Sequence, residues 1–412
     1  MSKMKDVKVA LVHDHLLEFG GAERVFVQLV ELFPDADVYT SAYDVEVVKK
    51  RIPNFHKWNI HTTWAMKIPF FRKLYSPLRF LAPFIWESID LSQYDLVISS
   101  TGWFMSKGVI TKPSQKAASF PRINTRSARR GPRSKSHPLH LSYIHHPPSY
   151  LYGYETAMEW KKYWPIRVYA GIINHFLRMW DFKASQRPDI LIANSKETQS
   201  RIKKFYKRDA LVIYPPVHIE KVESKRDYSG VHANGHYISV SRLAYKKHVD
   251  LMIEVANARQ MPLVIIGSGR DEQRLRELAG PTVTIKGYVP DEEFGRLFSQ
   301  AKAFINCAVD EDFGIAPVEA LGRGVPVIAY ASGGLKETVD HKRNGLLFES
   351  LTQGSLNDAI DAFEKYTLSE YEKMCHAARQ SSLAYTEEAF AKNIQLLVAS
   401  SLQEMQANSD VS

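Results

Sequence analysis

The chain has 412 residues and a formal net charge of +9, with 45% hydrophobic and 24% charged residues. This length exceeds one ordinary core and predicts two domains, and the composition is typical of a soluble globular protein. No uncharged apolar run reaches the roughly 18 residues of a membrane span, and the N-terminus enters a strand pattern without a signal-peptide core. The two cysteines, Cys307 and Cys375, exclude a disulfide framework and a cysteine metal site. We therefore expect a cytoplasmic location.

Nearly all of the net charge comes from one segment. Residues 112–138 are rich in Ser, Pro and Arg, and they carry eight Lys or Arg side chains and no acidic one. Without hydrophobic periodicity, this segment is predicted to be a flexible basic insertion. A solvated insertion is favoured over a binding segment for RNA or acidic lipid. Because the rest of the chain is almost neutral, its charge does not indicate a specific nucleic-acid partner.

The first half of the chain alternates apolar strands with helices. A strand over 7–13 leads through Gly20-Gly21 into a helix that ends near Leu32, so the glycine pair indicates either a loop at a cleft or a plain turn. A strand over 139–144 ends in His145-His146, and a histidine at the carboxyl end of a parallel strand can contact a ligand or serve the core. Further strands are predicted at 37–40, 94–99, 108–111, 189–193 and 211–214, and helices at 163–186 and 195–206.

Residues 62–88 mix aromatic and basic side chains. No acidic residue occurs in this segment before Glu87. This mixture suits an anionic membrane surface or an amphipathic acceptor. Alternatively, the aromatic residues belong to helices buried between domains and interrupted by proline. The aromatic residues are Trp64, Phe70, Phe71, Tyr75, Phe80, Phe84 and Trp86, and the basic ones are Lys67, Arg72, Lys73 and Arg79.

The second half repeats the alternation after a charged linker at 220–230. Both halves are therefore predicted to be Rossmann-like, doubly wound α/β domains with parallel sheets that face each other across a cleft. The N-terminal domain is expected over 1–220 and the C-terminal domain over 221–385. Predicted strands are 236–240, 263–266, 283–286, 303–306 and 325–330, and predicted helices are 249–259, 271–279, 291–300, 355–366, 369–383 and 387–405.

The stretch from Phe304 to Asn344 has the pattern of an anion site. An apolar strand ends near Cys307, an acidic turn follows, and a helix is predicted to begin after Gly314. Gly333-Gly334 opens a second helix after the next strand. Helix N-termini led by glycine let backbone N–H groups approach an anion closely, so a ligand with phosphate and hydroxyl groups is predicted here.

Charged residues at the same sheet edge supply partners for such a ligand. Arg242 and Lys247 follow the first strand of the second half, and they can neutralise a diphosphate together with the amides of Gly314 to Ala316. Glu319 can accept hydrogen bonds from two vicinal ribose hydroxyls. Taken singly, each of these residues is better interpreted as an ordinary charge on the surface or at a helix end. Their joint placement around one cleft favours the ligand site.

Other nucleotide and metal motifs are absent or incomplete. The chain has no GxxxxGK[ST] sequence, and Gly267-Ser268-Gly269 lacks the third glycine of the dinucleotide fingerprint. Asp310 and Asp312 have the spacing of a metal-binding Asp-x-Asp pair, but they overlap a different motif that accounts for them better. No metal is therefore expected.

That motif and its companions resemble the retaining GT-B glycosyltransferases of family 4, also called group 1, over nearly the whole chain except 112–138. The signature is an E-x7-E motif that begins at Glu311 and ends at Glu319. The companion matches are Gly324-Val325-Pro326-Val327, Gly333-Gly334, Glu337, Asn344-Gly345, Ser241-Arg242-Leu243 with Lys247, Gly287-Tyr288-Val289 and Gly20-Gly21-Ala22-Glu23-Arg24.

The resemblance implies roles for single residues. Arg242 and Lys247 would hold the donor diphosphate, Glu319 would bind the ribose, and Glu311 would lie beside the transferred sugar. In Tyr143-Ile144-His145-His146-Pro147, His145 corresponds to the active-site histidine, with His146 as the other candidate. Residues 386–412 would form a helix that returns to the N-terminal domain. Further donor contacts are implied for Gly20, Gly21, Phe313, Gly314, Ile315 and Ala316.

The resemblance also implies transfer with retention at C1, without a cofactor or a metal. Bacterial polysaccharide mannosyltransferases are the most similar group, so GDP-mannose is the expected donor and UDP-sugars come second. The expected acceptor is a glycan, isoprenoid-linked at the inner membrane face, and the protein would be cytoplasmic or peripheral through 62–88. Rival interpretations are an epimerase or phosphorylase of the same fold, and a non-catalytic basic protein that binds RNA or membranes.

Overall fold

The computed structural model describes residues 7–52, 54–112, 137–155, 163–219 and 226–410. Most of the predicted basic insertion lies outside these residues, and so does the predicted domain boundary at 220–221. The helices are α1 (Gly21–Leu32), α2 (Val45–Arg51), α3 (Ala82–Glu87), α4 (Ser149–Tyr152), α5 (Trp164–Ala184), α6 (Lys196–Tyr206), α7 (Tyr228–Asn234), α8 (Val249–Arg259), α9 (Glu272–Leu278), α10 (Asp291–Ser299), α11 (Ile315–Gly322), α12 (Leu335–Thr338), α13 (Gln353–Glu364), α14 (Leu368–Ser382) and α15 (Glu387–Asp410).

The described strands form two parallel sheets. The first has the order β3-β2-β1-β4-β5-β6-β7, and the second has the order β10-β9-β8-β11-β12-β13. In each sheet the strand order changes direction at the strand that comes first in the chain, β1 or β8, as in doubly wound folds. The α/β prediction is therefore confirmed. The strands are β1 (Val9–His13), β2 (Asp37–Thr40), β3 (Asn59–Thr62), β4 (Leu96–Thr101), β5 (Leu139–Ile144), β6 (Ile190–Ala193), β7 (Leu211–Val212), β8 (His236–Val240), β9 (Leu263–Ile266), β10 (Val283–Lys286), β11 (Ala301–Asn306), β12 (Val327–Tyr330) and β13 (Gly345–Phe348).

Both sheets are buried on their two faces. In β1, Leu11 belongs to one hydrophobic cluster, whereas its neighbours Ala10 and Val12 belong to another on the opposite face. In β8, Tyr237 and Ile238 divide in the same way. Successive strand residues point to opposite faces, which explains why these strands read as continuous apolar runs.

The C-terminal helix packs on the first sheet. Phe390, Ile394 and Val398 follow a four-residue spacing along α15, and all three are buried in the cluster that contains Leu11. The ring of Phe390 lies 5.9 Å from the ring of Tyr143 on β5. The last helix therefore contributes to the core of the first sheet, although it follows the second sheet in sequence.

One predicted strand is wrong, and two edge strands were missed. The strand expected at 108–111 is wrong, because Ser106–Gly108 is a short 3₁₀ helix and Ile110 makes only one isolated bridge, to Asp90. Two real strands, β3 and β13, were not predicted. β3 is an edge strand whose sequence, Asn-Ile-His-Thr, lacks the apolar run of a buried strand.

Residues 62–88 divide between the core and the surface. Phe71 and Trp86 are buried in the hydrophobic cluster that also contains Val12, whereas Phe70 and Phe84 are 71% and 65% exposed. The segment is built from short turns of helix, Trp64–Lys67, Pro77–Leu81 and α3. Among the described residues, no helix combines the length and apolar content that crossing a bilayer requires.

Candidate active site

The N-terminus of α11 meets the glycine loop of the first half. Gly314 precedes α11 with a φ of +93°, a left-handed conformation that favours glycine. A Cβ on Gly21 would lie only 2.7 Å from Cδ1 of Ile315, the first residue of α11. The glycine at position 21 therefore lets two segments far apart in sequence come into direct contact.

Lys247 and Glu311 form a largely buried ion pair beside this contact. The Lys247 ammonium donates to the Glu311 carboxylate, and their side chains are only 17% and 19% exposed. Burial would raise the pKa of the Glu311 carboxyl, but Lys247 and Lys246 hold it below its usual value. Glu311 is therefore an anion at neutral pH, in the acidic turn that follows β11.

Two further ion pairs, unlike the Lys247–Glu311 pair, join residues of the first half to residues of the second half. Arg242 lies 3.3 Å from Glu18, and both side chains are half exposed. Arg24, on α1, donates to the Glu319 carboxylate on α11. The predicted diphosphate and ribose residues thus lie at one junction, where Arg242 and Glu319 face charges from the glycine-loop region and Lys247 faces Glu311.

The acidic turn is held by an arginine of the first half. Arg201, on α6, is 4% exposed, and its guanidinium lies 2.7 Å from Asp312 and 3.8 Å from Asp310. The Ser195 hydroxyl also donates to the backbone carbonyl of Asp312, at 2.5 Å. Both aspartates are therefore engaged by Arg201. Among the residues that the structure describes, no group of three His, Cys, Asp or Glu side chains is placed to hold a metal ion.

The second glycine pair supports the same turn. Gly333 has a φ of +56°, and a Cβ there would lie 2.1 Å from the carbonyl oxygen of Glu311. The amide of Gly334 donates to that carbonyl at 2.7 Å. Side chains larger than glycine would separate α12 from the turn that carries Glu311.

Glu337, in the short helix after this glycine pair, caps a helix of the other half. Its carboxylate accepts hydrogen bonds from the amides of Lys196 and Glu197, at 2.9 and 2.8 Å. These are the first two residues of α6, where unpaired amides and the helix dipole favour an anion. Glu337 and Arg201 together tie α6 to the second half.

His145 directly follows β5 and belongs to a row of buried polar groups. Its Nε2 lies 2.8 Å from the Ser100 hydroxyl, which lies 3.0 Å from Nδ1 of His13. Nε2 of His13 is 3.5 Å from the Glu23 carboxylate, which in turn accepts a hydrogen bond from the amide of Gly20. The row connects the histidine to the glycine loop through side chains of β1, β4 and α1.

Burial keeps His145 neutral. Burial and the neighbouring His13 and His146 lower the pKa of His145 to about 3, so the imidazole is uncharged at neutral pH. His146 is only half-buried, and its Nδ1 lies 3.1 Å from the carbonyl oxygen of Pro147. Of the two candidate histidines, His145 is the one that belongs to the buried row.

We expect His145→Gln to flatten the acid limb of the stability profile. Between the ordinary value of 6.5 and about 3, the unfolded state binds a proton at His145 that the folded state does not. This contribution to stability is therefore complete above pH 6.5 and is lost as the pH falls toward 3. Urea unfolding across this range should show a slope smaller by up to about 1.4 kcal/mol per pH unit in the variant. His56→Gln, a substitution of an exposed histidine, is the control. An unchanged slope in His145→Gln would contradict the low pKa of His145.

Sequence reasoning missed several residues of this junction. Arg24 and Glu337 belong to the matched motifs, and each follows a glycine pair at the start of a helix. This position could have marked both as candidate site residues. Arg201 had no such signal, because α6 also carries Lys196, Lys203 and Lys204. Phe313, a predicted donor contact, is 2% exposed and packs in a cluster that includes Tyr385.

The architecture belongs to a known class. The chain has the GT-B fold, with two parallel-sheet α/β units. Among solved structures, it is similar to Anabaena HepE in complex with UDP and glucose, with a TM-score of 0.65 and 18% identity over 96% of this chain and 100% of that one. At this level of identity, the likeness concerns the fold alone.

Residues 225–381 match the family model described as glycosyl transferases group 1, so this part of the chain is a group 1 glycosyltransferase domain. A GDP-mannose-dependent alpha-mannosyltransferase of Mycobacterium tuberculosis is 33% identical over 144 residues, which are 35% of this chain and 37% of that protein. The GtfA subunit of a UDP-N-acetylglucosamine–peptide N-acetylglucosaminyltransferase of Streptococcus pneumoniae is 25% identical over 186 residues, or 42% of this chain and 36% of that protein. The matched stretch thus spans little more than a third of these relatives.

Proposed function

We propose that the protein is a retaining glycosyltransferase that moves a sugar from a nucleotide-sugar donor, GDP-mannose, to a glycan or lipid-linked glycan acceptor. The observation that carries the proposal is the convergence at the N-terminus of α11. The Gly20-Gly21 loop, the Lys247–Glu311 pair and Glu319 all lie there, within or against the group 1 domain.

The donor diphosphate fits the cations and amides of this junction. Arg242 and Lys247 would neutralise its charge, and the first amides of α11 would donate to a phosphate oxygen. Lys247 is held by Glu311, so its ammonium is already oriented before a donor arrives. Glu319 would exchange its bond with Arg24 for bonds to the ribose hydroxyls. Binding of the donor would therefore rearrange ion pairs that already exist at the site.

Beside the transferred sugar, the neutral His145 and the Glu311 anion would have complementary roles. When the C1–O bond to the diphosphate breaks, positive charge develops on the sugar ring. A neutral His145 can hydrogen-bond a sugar hydroxyl without adding a second positive charge, whereas the Glu311 anion stabilises the developing one. The electrons of the broken bond would go to the diphosphate, whose growing negative charge Arg242 and Lys247 would neutralise. The acceptor hydroxyl would attack C1 from the leaving-group face and give its proton to the departing diphosphate oxygen, which results in retention.

Metal independence is part of the proposal. Asp310 and Asp312 have the spacing of a metal-binding pair, but the Arg201 guanidinium already engages both. Arg242 and Lys247 supply positive charge where the diphosphate would otherwise need a cation. We therefore expect transfer to continue in the presence of EDTA.

A donor comparison tests the proposal. The purified protein is incubated with membrane lipid extract, EDTA and either GDP-mannose, UDP-glucose or UDP-N-acetylglucosamine, and the released nucleoside diphosphate is measured. GDP release should exceed UDP release at least about tenfold, which corresponds to about 1.4 kcal/mol of transition-state discrimination. The Glu319→Ala protein is the control for a contaminating hydrolase and should lose release.

Each other outcome removes one part of the proposal. Preferential UDP release would replace the GDP-mannose assignment by a UDP-sugar donor, the second candidate, which the GtfA relative favours. Loss of all release with EDTA would overturn metal independence. No release from any donor, with or without metal, would overturn the transferase assignment itself.

A further inference from the structure

Helix α5 exposes an apolar stripe along its whole length. Its buried side is formed by Ala170, Asn174, Leu177, Asp181 and Ala184, which pack toward the first sheet. The opposite side carries large apolar residues at spacings of four and three, so they share one face of the helix. These are Trp164, Val168, Ile172, Phe176 and Met179, with exposed fractions of 69%, 56%, 56%, 60% and 43%.

A second set of exposed apolar residues lies on the segment that packs against α5. The Tyr169 hydroxyl donates to the carbonyl of Pro77, and Trp180 Nε1 donates to Glu87 at 2.7 Å, so α5 packs against residues 77–87. Phe70, Leu74, Phe80 and Phe84 are 71%, 46%, 38% and 65% exposed on this neighbouring segment. We call these four residues and the stripe of α5 the aromatic face.

The exposed charges of residues 64–86 and α5 are positive, and Glu87, the next residue in sequence, is paired with Arg187. Residues 64–86 contain no acidic residue, and α5 contains only Asp181. Asp181 is fully buried and paired with Lys107. In contrast, five basic side chains of these segments are exposed, and among the residues that the structure describes only Arg72 of the five has a carboxylate partner, Asp44. They are Lys67, Arg72, Lys73, Arg167 and Arg178.

We propose that the aromatic face docks the protein on a membrane surface that contains anionic phospholipids. Exposed aromatic and aliphatic side chains with a basic rim are the combination that the headgroup region binds, since it offers apolar depth and negative potential together. An exposed apolar area of this extent is uncommon on a protein that works alone in water. The inference does not depend on the transferase activity, because it concerns a surface of α5 and 64–86 and not the junction at α11.

Vesicle binding tests the inference. Sedimentation is measured with phosphatidylcholine vesicles, and with vesicles that contain about one third phosphatidylglycerol, using the full chain and three variants. The first variant is Ile172→Ser with Phe176→Ser on the aromatic face. The matched control is Leu383→Ser with Leu396→Ser, which removes two exposed apolar residues elsewhere (46% and 59% exposed). The third variant is Lys67→Glu with Lys73→Glu.

The wild-type protein should bind the anionic vesicles, and added salt should weaken its binding. The aromatic-face variant should lose at least about tenfold in vesicle affinity, whereas the matched control should stay within about twofold. The charge variant should lose about tenfold on anionic vesicles and keep its weak affinity for neutral ones. Circular dichroism confirms that each variant is folded.

Three results would overturn the inference. One is equal binding of the wild type and the aromatic-face variant, and another is no vesicle binding by the wild type at all. The third is a concentration-dependent dimer that the aromatic-face variant abolishes, because the face would then be covered by a second copy of the chain.

Discussion

Lys247→Ala is expected to lower kcat with the preferred donor about 10²- to 10³-fold. The ammonium of Lys247 is largely buried, so its charge acts on a departing diphosphate with little screening by water. The negative charge on the diphosphate grows as the C1–O bond breaks, so the loss should fall on kcat more than on KM. Initial rates of nucleoside diphosphate release over a range of donor concentrations measure both quantities.

Two controls separate this role from a structural one. Lys336→Ala removes an exposed lysine of α12 and should leave kcat within about twofold. Lys247→Ala also leaves Glu311 without its partner, so kcat is compared under conditions where circular dichroism shows both variants to be folded. A folded Lys247→Ala protein with normal kcat would show that Lys247 serves the fold alone.

Arg201→Ala is expected to lower the free energy of unfolding by about 3 to 5 kcal/mol, the usual cost of removing one partner from a buried ionic cluster. The guanidinium contacts Asp310 and Asp312 of the second half and Glu197 of its own helix. Without it, burial would leave these carboxylates short of a compensating charge. Urea unfolding followed by circular dichroism measures the change.

Lys203→Ala on the same helix is the matched control. Lys203 and its partner Asp209 are 75% and 91% exposed, so the pair is screened and its loss should cost less than about 1 kcal/mol. Because Arg201 also fixes the turn that carries Glu311, Arg201→Ala should reduce kcat under conditions where the protein is folded. Equal stability of the Arg201 and Lys203 variants would contradict the interpretation of Arg201 as a link between the two halves.

The element pattern of this chain could be predicted because it depends on local spacing. Strands such as Val9–His13 and Ala301–Asn306 are buried on both faces, so they appear as short apolar runs between polar loops. The strand Asn59–Thr62 lies at an edge and has no such run. Gly314 and Gly333 could be recognised in the same way, because both have a positive φ that other residues rarely adopt, whereas the roles of the site residues stay predictions.

What could not be predicted depends on docking between distant segments. Arg24 and Glu319 are 295 residues apart, and Arg201 and Asp312 are 111 apart. A charged residue on a helix surface looks the same in sequence whether it faces solvent or another domain. Only the position of α6 against the acidic turn distinguishes Arg201 from Lys203.

The sequence by itself determined the order of strands and helices, the two parallel sheets and the glycine-led helix starts, because these follow from periodicity and backbone sterics. The tertiary structure alone decided which charges meet at the junction. It also decided which face of α5 is covered, since the covered side includes Asn174 and Asp181 whereas the exposed side is apolar, the reverse of what the sequence pattern favours. Burial of one stripe leaves the other exposed, and the aromatic face is the result.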